Sequence, residues 1–207
     1  MANTNKKRAK SMINVRRATF FGFSDEDNEV YDESKIMELT KRTMSFSDGR
    51  NYNSVPNYGD GEETDREYGI SGRTVELQIH DLTAEESAFI HGHTVSGKTI
   101  RRSQNDIIPS VGLALMTDLP GGHVNLYKFY KAKFPPSGTS VTQKSEGSTT
   151  FSNTTLSGTY SDLERLGTDS SILKDVDPDT EEGKQIINNW FTKPDYDGGA
   201  TDNSGGD

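Results

Sequence analysis

The chain has 207 residues, a formal net charge of −9 at pH 7 and no cysteine. Its length suits one domain with a sizeable apolar core. The lack of cysteine excludes disulfides, thiolate metal sites and thiol nucleophiles. The sequence contains no apolar run of about 18 residues, so we expect neither a membrane span nor a secretory signal. The acidic balance also argues against a general nucleic-acid binder, which usually has a basic face.

Charge is distributed unevenly along the chain. Residues 1–17 contain six basic residues and no acidic ones, whereas residues 161–207 contain twelve acidic and four basic residues. A basic start and an acidic finish would suit copies of one chain that meet head to tail, because complementary patches fix the register between them.

We expect one domain over residues 1–193, which begins with a basic N-terminal arm over residues 1–11. Residues 194–207 are rich in Gly, Asp and Asn, which predicts a disordered acidic tail. The tail can bury at most Tyr196 and Ala200, too little to offset an ordering cost of about 1–2 kcal/mol per residue. We therefore expect the tail to be dispensable for folding.

Alternation of apolar and polar residues predicts a mostly β fold. Val75, Leu77 and Ile79 alternate with polar residues, which is typical of a strand with one buried face. A second long strand, over residues 124–134, keeps the alternation except at Lys128. Further strands are predicted at residues 12–23, 36–46, 111–116 and 149–160.

Two capping patterns predict helices. Thr83 and Glu86 form a capping box, and Gly92 stands where a helix usually ends, so we predict a short helix over residues 84–91. A second such box at residues 179–182 begins a C-terminal helix that ends before Pro194. Its apolar face, at helical spacing, consists of Ile186, Ile187, Trp190 and Phe191.

Residues 47–68 show no periodicity and are predicted to form one long loop. Loops beyond about 12–15 residues are usually functional or disordered, and aromatic residues are enriched at contacts between proteins. We therefore predict a subunit-contact loop, with basic residues of positions 6–17 as partners for its acidic residues. The predicted contact residues are Tyr52, Tyr58, Asp60, Glu62, Glu63, Asp65 and Tyr68.

Residues 92–99 (GHTVSGKT) match the phosphate-loop pattern completely. That motif needs a buried strand before the loop and a helix after it, so that backbone amides face the phosphates. Here a helix precedes the segment, and no clear amphipathic helix follows it. We expect a glycine-containing hairpin turn with Lys98 beside it, and a phosphate-loop nucleotide-binding enzyme is kept as an alternative.

The remaining patterns indicate no catalytic or metal centre. His91 and His93 flank Gly92 without an HExxH pattern, so we expect an exposed helix cap rather than a metal pair. Residues 175–179 imitate the start of a calcium loop but lack its later glycine and glutamate. We expect a protein that is not an enzyme and that binds no cofactor and no metal.

The middle of the chain has an order of elements that is typical of one family. NYGDG at residues 57–61 is followed by YGISG at residues 68–72, which opens the strand ending at Ile79. The capped helix comes next, then Pro109 with ALM at 114–116, YKFY at 127–130 and a Thr-rich stretch that ends near Leu156. This order, over residues 35–160, resembles the major tail tube protein of long-tailed (siphovirus) phages of Gram-positive bacteria.

The resemblance implies a β-sandwich or barrel-like fold with a flanking α-helix and a long loop, to which the sequence adds a C-terminal helix. Six copies would form a ring by extending sheets across subunit edges, and stacked rings would form a tube in the virion tail after assembly in the host cytoplasm. Implied partners are the tail tape measure, tail terminator and distal tail proteins. DNA would pass through the lumen without specific binding, and no membrane is involved.

A second alternative is a β-sandwich carbohydrate-binding or adhesin module. Such a module needs an exposed aromatic platform, for which only the tyrosines of residues 47–68 qualify. It would be monomeric and bind glycans.

Overall fold

The computed structural model describes residues 14–39, 42–59, 62–138, 153–166 and 169–199. The predicted N-terminal arm over residues 1–11 lies outside this part of the chain.

The described residues form ten β-strands and two α-helices. In chain order these are β1 (Asn14–Asp25), β2 (Val30–Glu38), β3 (Thr43–Gly59), β4 (Glu62–Ile79), α1 (Ala84–His91), β5 (Thr94–Ser96), β6 (Thr99–Arg101), β7 (Val111–Asp118), β8 (Val124–Lys133), β9 (Thr154–Ser161), β10 (Ser171–Val176) and α2 (Glu181–Thr192).

Eight strands form one large antiparallel sheet in the order β2-β1-β7-β8-β9-β4-β3, with β10 paired to β8. Strand β8 pairs with β7 along one edge, and along the other edge it pairs first with β10 and then with β9. The sheet curls, so that β1, β7 and β8 pack across a core from β4 and β9. The fold is mostly β and sandwich- or barrel-like, as the sequence predicts.

Each side of the central strands buries its own apolar cluster. Phe20, Leu113 and Phe129 point into the cluster between the layers, together with Leu77 of β4. The opposite face of the same strands carries Phe21, Ala114 and Leu126, and helix α2 covers it with Trp190. Strands buried on both faces show weak alternation, which is why β1 and β7 read as apolar or irregular in the sequence.

Helix α1 begins with the predicted capping box, whereas α2 begins one residue later than the box predicted at residues 179–182 and has no reciprocal contact. The Thr83 hydroxyl accepts a hydrogen bond from the Glu86 amide, and the Glu86 carboxylate accepts one from the Thr83 amide. Helix α2 starts at Thr180, whose hydroxyl accepts from the amide of Gly183. Its predicted apolar face packs on the sheet, where the Trp190 indole nitrogen donates to the Tyr127 carbonyl at 3.1 Å.

Lys128 is the polar residue that interrupts the alternation of β8, and its side chain is buried in the cluster under α2. Its ammonium nitrogen lies 4.9 Å from the ring centroid of Trp190 and 5.5 Å from that of Phe21. It donates to the carbonyl oxygens of Lys193, Pro194 and Tyr196 at 3.1, 3.0 and 2.7 Å. Three acceptors match the three protons of an ammonium group.

The acceptors belong to residues 193–199, here called the C-terminal strap. Two residues of the strap, Pro194 and Gly198, are buried. Arg165 forms an ion pair with Asp195, and Lys174 donates to the Gly198 carbonyl. The sequence predicts disorder from residue 194 onward, whereas residues 194–199 dock on the sheet because backbone carbonyls, not side chains, complete the surroundings of Lys128.

Other predicted boundaries shift by a few residues. The strand predicted at residues 36–46 falls in two strands, β2, which ends at Glu38, and β3, which begins at Thr43. Strand β10 was not predicted, because its alternation is short and its Leu173 is exposed. Of the polar strand predicted at residues 149–160, the described part is β9.

Truncation after Lys193 should destabilise the protein, contrary to the expectation from composition. It removes two of the three oxygen acceptors of Lys128, and a buried polar group left unsatisfied costs about 1–3 kcal/mol. For a chain of this size we expect a melting temperature lower by about 2–12 °C. Truncation after Gly199 keeps all the described contacts and is the matched control. Equal melting of the two truncated proteins in calorimetry would show that the strap contributes nothing.

Lys128 should also make stability depend on pH. Burial lowers the pKa of Lys128 to about 7 from its ordinary value of 10.5, although the carboxylates of Asp195 and Asp197 raise it. Between these two values the unfolded chain binds a proton that the folded chain lacks, so the contribution of this group to the free energy of unfolding increases with pH. Lys128→Met lacks this titrating group. The free energy of unfolding of the wild type, relative to that of Lys128→Met, should therefore increase from pH 7 to pH 9. A difference that stays constant over this range would contradict the assignment.

Candidate functional site

Strands β3 and β4 form the most prominent surface feature of the described chain. Their register runs from Thr43 opposite Ile79 to Gly59 opposite Glu62. Strand β4 pairs with β9 only over Thr74–Ile79, so the outer half of the hairpin is a two-stranded ribbon. Nine residues from Asn51 to Gly59 at about 3.3 Å per residue give this ribbon a reach of about 30 Å.

The prediction of an aperiodic loop over residues 47–68 is wrong, since these residues are strands. Glycine, asparagine and proline disfavour strands locally, and β4 carries two bulges at Thr64 and Ser71, where one residue has no partner on β3. The bulges shift the alternation of β4 twice, which hides its period in the sequence. On β3 the period is intact, and the spacing of Tyr52 and Tyr58 could have revealed it.

The register places the three predicted tyrosines on one face. No extra residue interrupts β3 beyond Ser45, so its even-numbered side chains share a face. That face begins with Phe46, which packs on Tyr127 and Phe129 of the core. Directly opposite residues of paired strands also share a face, which adds Ile70, opposite Tyr52, and Tyr68, opposite Ser54. The tyrosine face is thus Tyr52, Tyr58, Tyr68 and Ile70.

The tyrosine face continues the core face of the sheet beyond the body of the protein. Tyr52, Tyr58 and Tyr68 are 54%, 64% and 65% exposed, and Ile70 is 47% exposed. A two-stranded ribbon is at best marginally stable in water, and aromatic residues exposed on one face are typical of a contact between proteins. The register also places the ion pair of Arg66, opposite Pro56, and Glu63, opposite Tyr58, on this face. Sequence reasoning missed Ile70, which has the same geometry as the tyrosines.

The base of the ribbon is fixed to the body by polar contacts. The Tyr160 hydroxyl donates to Asp48 at 2.7 Å. Arg73 forms an ion pair with Asp162 at 2.7 Å. Along this face of the hairpin, apolar packing at Phe46 is followed by polar contacts at the base and then by the exposed tyrosines. The contacts at the base therefore set the direction of the ribbon relative to the body.

The predicted acidic contact residues do not form one cluster. Glu63 is paired with Arg66 at 2.7 Å, and this bond lowers the pKa of Glu63. Asp65 lies opposite Asn57 on the other face of the ribbon. Glu62 is exposed at the end of the ribbon, and Asp60 lies outside the described residues.

Two of the basic residues expected to bind this acidic segment have partners within the chain. Arg16 pairs with Asp118 and Arg17 pairs with Glu38, both at 2.6 Å. The other basic candidates, at positions 6–10, lie outside the described residues. The described part of the basic segment therefore contributes to the body of the sheet through β1.

The phosphate-loop match at residues 92–99 has the hairpin geometry that the sequence predicts. Gly92 ends helix α1 in the left-handed region at φ 75° and donates to the Ala88 carbonyl. Strands β5 and β6 then pair with Ser96 opposite Thr99, so Gly97 and Lys98 form a two-residue hairpin turn. Helix α1 precedes this segment and strand β6 follows the turn. Phosphate binding through this motif requires the reverse order, a strand before the loop and a helix after it.

No protein-family model and no curated protein sequence matches the chain. Neither helix in the described residues has the length and apolar character needed to cross a membrane.

Lys98 should not bind nucleotide. In a titration of ATP with magnesium, wild type and Lys98→Ala should behave alike, because the turn directs no array of backbone amides at a phosphate. Micromolar binding that the substitution abolishes would overturn this interpretation.

Proposed function

We propose that the chain is a structural subunit of a phage tail tube that assembles with copies of itself, and that the β3–β4 hairpin makes the contact between stacked rings. The observation that carries this proposal is the tyrosine face, an extension of the core face that no described residue of the chain covers. A second copy of the chain is the occupant that we infer, because a subunit with such a ribbon gains stability when a neighbour buries it.

Two further features support the proposal. The curled sheet with a flanking helix is the architecture that the resemblance over residues 35–160 implies. The sheet also ends in strands β2 and β3, whose outer edges offer backbone hydrogen-bonding groups to a neighbouring chain. Edge pairing within a ring and ribbon contact between rings are compatible. The first uses the outer edges of β2 and β3, and the second uses the tyrosine face of the ribbon.

The remaining parts of the proposal follow from the resemblance. The partners are further copies in hexameric rings and the tape measure, terminator and distal tail proteins. DNA would pass through the lumen during ejection without specific binding, which the net charge of −9 favours by repelling phosphates. In this proposal the protein acts in the virion tail and is not an enzyme.

The tyrosine face gives the test of the proposal. We expect wild type to form rings and tubes, and a variant with Tyr52→Ser, Tyr58→Ser and Tyr68→Ser to stop at monomers or single rings. Burial of the apolar part of each ring would stabilise the contact, so its loss should weaken stacking strongly. Sedimentation velocity and negative-stain microscopy at equal concentration measure the outcome.

A matched control changes the other face of the same ribbon. Asn53→Ser, Val55→Ser and Asn57→Ser should leave tube length unchanged, and both triple variants should melt within a few degrees of wild type because the replaced side chains are exposed. Tubes of normal length from the tyrosine variant would refute the role of the hairpin. A wild type that stays monomeric and binds glycans through these tyrosines would favour the carbohydrate-binding module instead.

A further inference from the structure

The end of helix α1 brings two histidines together in the interior. His91 is the last residue of the helix, Gly92 turns the chain in the left-handed region, and His93 follows. Both histidines are buried, and their ring centroids lie 5.6 Å apart. The sequence predicts an exposed cap at this position, and the burial of both rings shows that this prediction is wrong.

Each imidazole uses its Nδ1 atom to contact an oxygen acceptor. His91 Nδ1 lies 2.8 Å from the Phe134 carbonyl oxygen, which can only accept, so this nitrogen donates. His93 Nδ1 lies 2.8 Å from a carboxylate oxygen of Asp106, which is itself held by the Ser103 amide at 2.9 Å. In a neutral imidazole with a proton on Nδ1, the Nε2 atom carries a free lone pair.

The Nε2 atom of His93 has no partner among the described contacts. The His93 side chain is 3% exposed, and its Nε2 atom is out of contact with solvent and accepts no hydrogen bond. Among the described residues, the Oδ1 atom of Asn153 is buried without a partner as well. Both residues, with His91, line one cavity of about 310 Å³. Buried polar atoms without partners are rare and point to a bound water or ion.

We propose that His91 and His93 bind one divalent transition-metal ion of the zinc class through their Nε2 atoms. Two imidazoles that share a tetrahedral zinc ion at about 2.0–2.1 Å have ring centroids about 5–6 Å apart, which the observed separation matches. An ion at that bond length needs less room than a water molecule at about 2.8–3.0 Å. The ion can therefore bind next to Nε2 of His93, where water has no access, while its other side faces the cavity.

The surroundings have the features of a metal site. Histidines that bind metals almost always donate their other ring N–H to a carboxylate or a backbone carbonyl, as His93 and His91 do here. The C-terminal end of a helix also favours a cation through its dipole. Arg102 lines the cavity and opposes a cation, whereas Asp106 and the cavity residue Asp81 favour it.

The described residues contain no group of three or more His, Cys, Asp or Glu that could hold a metal ion. The two imidazoles therefore supply only part of the coordination, and water from the cavity completes it. Such a site exchanges its ion readily. This inference does not depend on the proposed role in a tail tube, since both histidines belong to the body of the subunit.

Calorimetric titration of untagged full-length protein with ZnCl₂ tests the inference. We expect one ion per chain in the wild type, and binding at least about tenfold weaker in His91→Ala and in His93→Ala. Asp106→Asn should weaken binding by about tenfold while keeping both ligands, because it removes only the group that orients His93. His123→Ala is the matched control, because His123 also pairs with an aspartate, Asp175, but lies partly exposed.

X-ray absorption of the wild-type zinc complex keeps the test decisive if a histidine variant unfolds. The spectrum should show scattering from two imidazole rings on one zinc ion. Zinc binding below one ion per chain at about 1 mM, a spectrum with fewer than two imidazoles, or equal losses in the His123 control would overturn the proposal.

Discussion

Strand β8 is the element on which the rest of the structure depends. It pairs with β7 on one edge and with β10 and β9 on the other, and it is buried on both faces. One face contributes Phe129 to the core between the layers, and the other contributes Leu126 and Lys128 to the cluster under α2. Both edges and both faces of β8 contact neighbouring elements, so the positions of these elements are fixed relative to β8.

Lys128 shows how a polar residue can organise such a position. A lysine buried without acceptors would be strongly unfavourable, and here two aromatic faces and three carbonyl oxygens replace its water shell. The position of the C-terminal strap follows from this requirement, because backbone carbonyls can reach the ammonium only when the chain folds back over β8. Packing of Trp190 and docking of the strap are therefore parts of one arrangement.

Much of this architecture could be predicted from local patterns. The alternation of Val75, Leu77 and Ile79 and the capping box of Thr83 depend on neighbours in the sequence, and both are confirmed. Three features could not be predicted in that way. The partners of Lys128 come from residues about 65 positions later, the bulges at Ser71 and Thr64 are defined only by pairing with β3, and the burial of His91 and His93 depends on Phe134 and Asp106. The tyrosines were identified correctly as exposed residues, but their common face follows from the register alone.

The pairing of β1 has a consequence for how the chain folds. Strand β1 pairs with β7, which lies roughly a hundred positions later, and β7 is completed only by β8. During synthesis, therefore, β1 can pair at once with β2 along one edge but leaves the ribosome long before β7, its partner along the other edge, while the local β3–β4 hairpin and helix α1 can also form at once. Folding dominated by such distant contacts is slow, and the apolar residues of β1 remain exposed in the meantime. We expect chaperones that hold nascent chains to bind β1 most strongly, around Phe20 and Phe21.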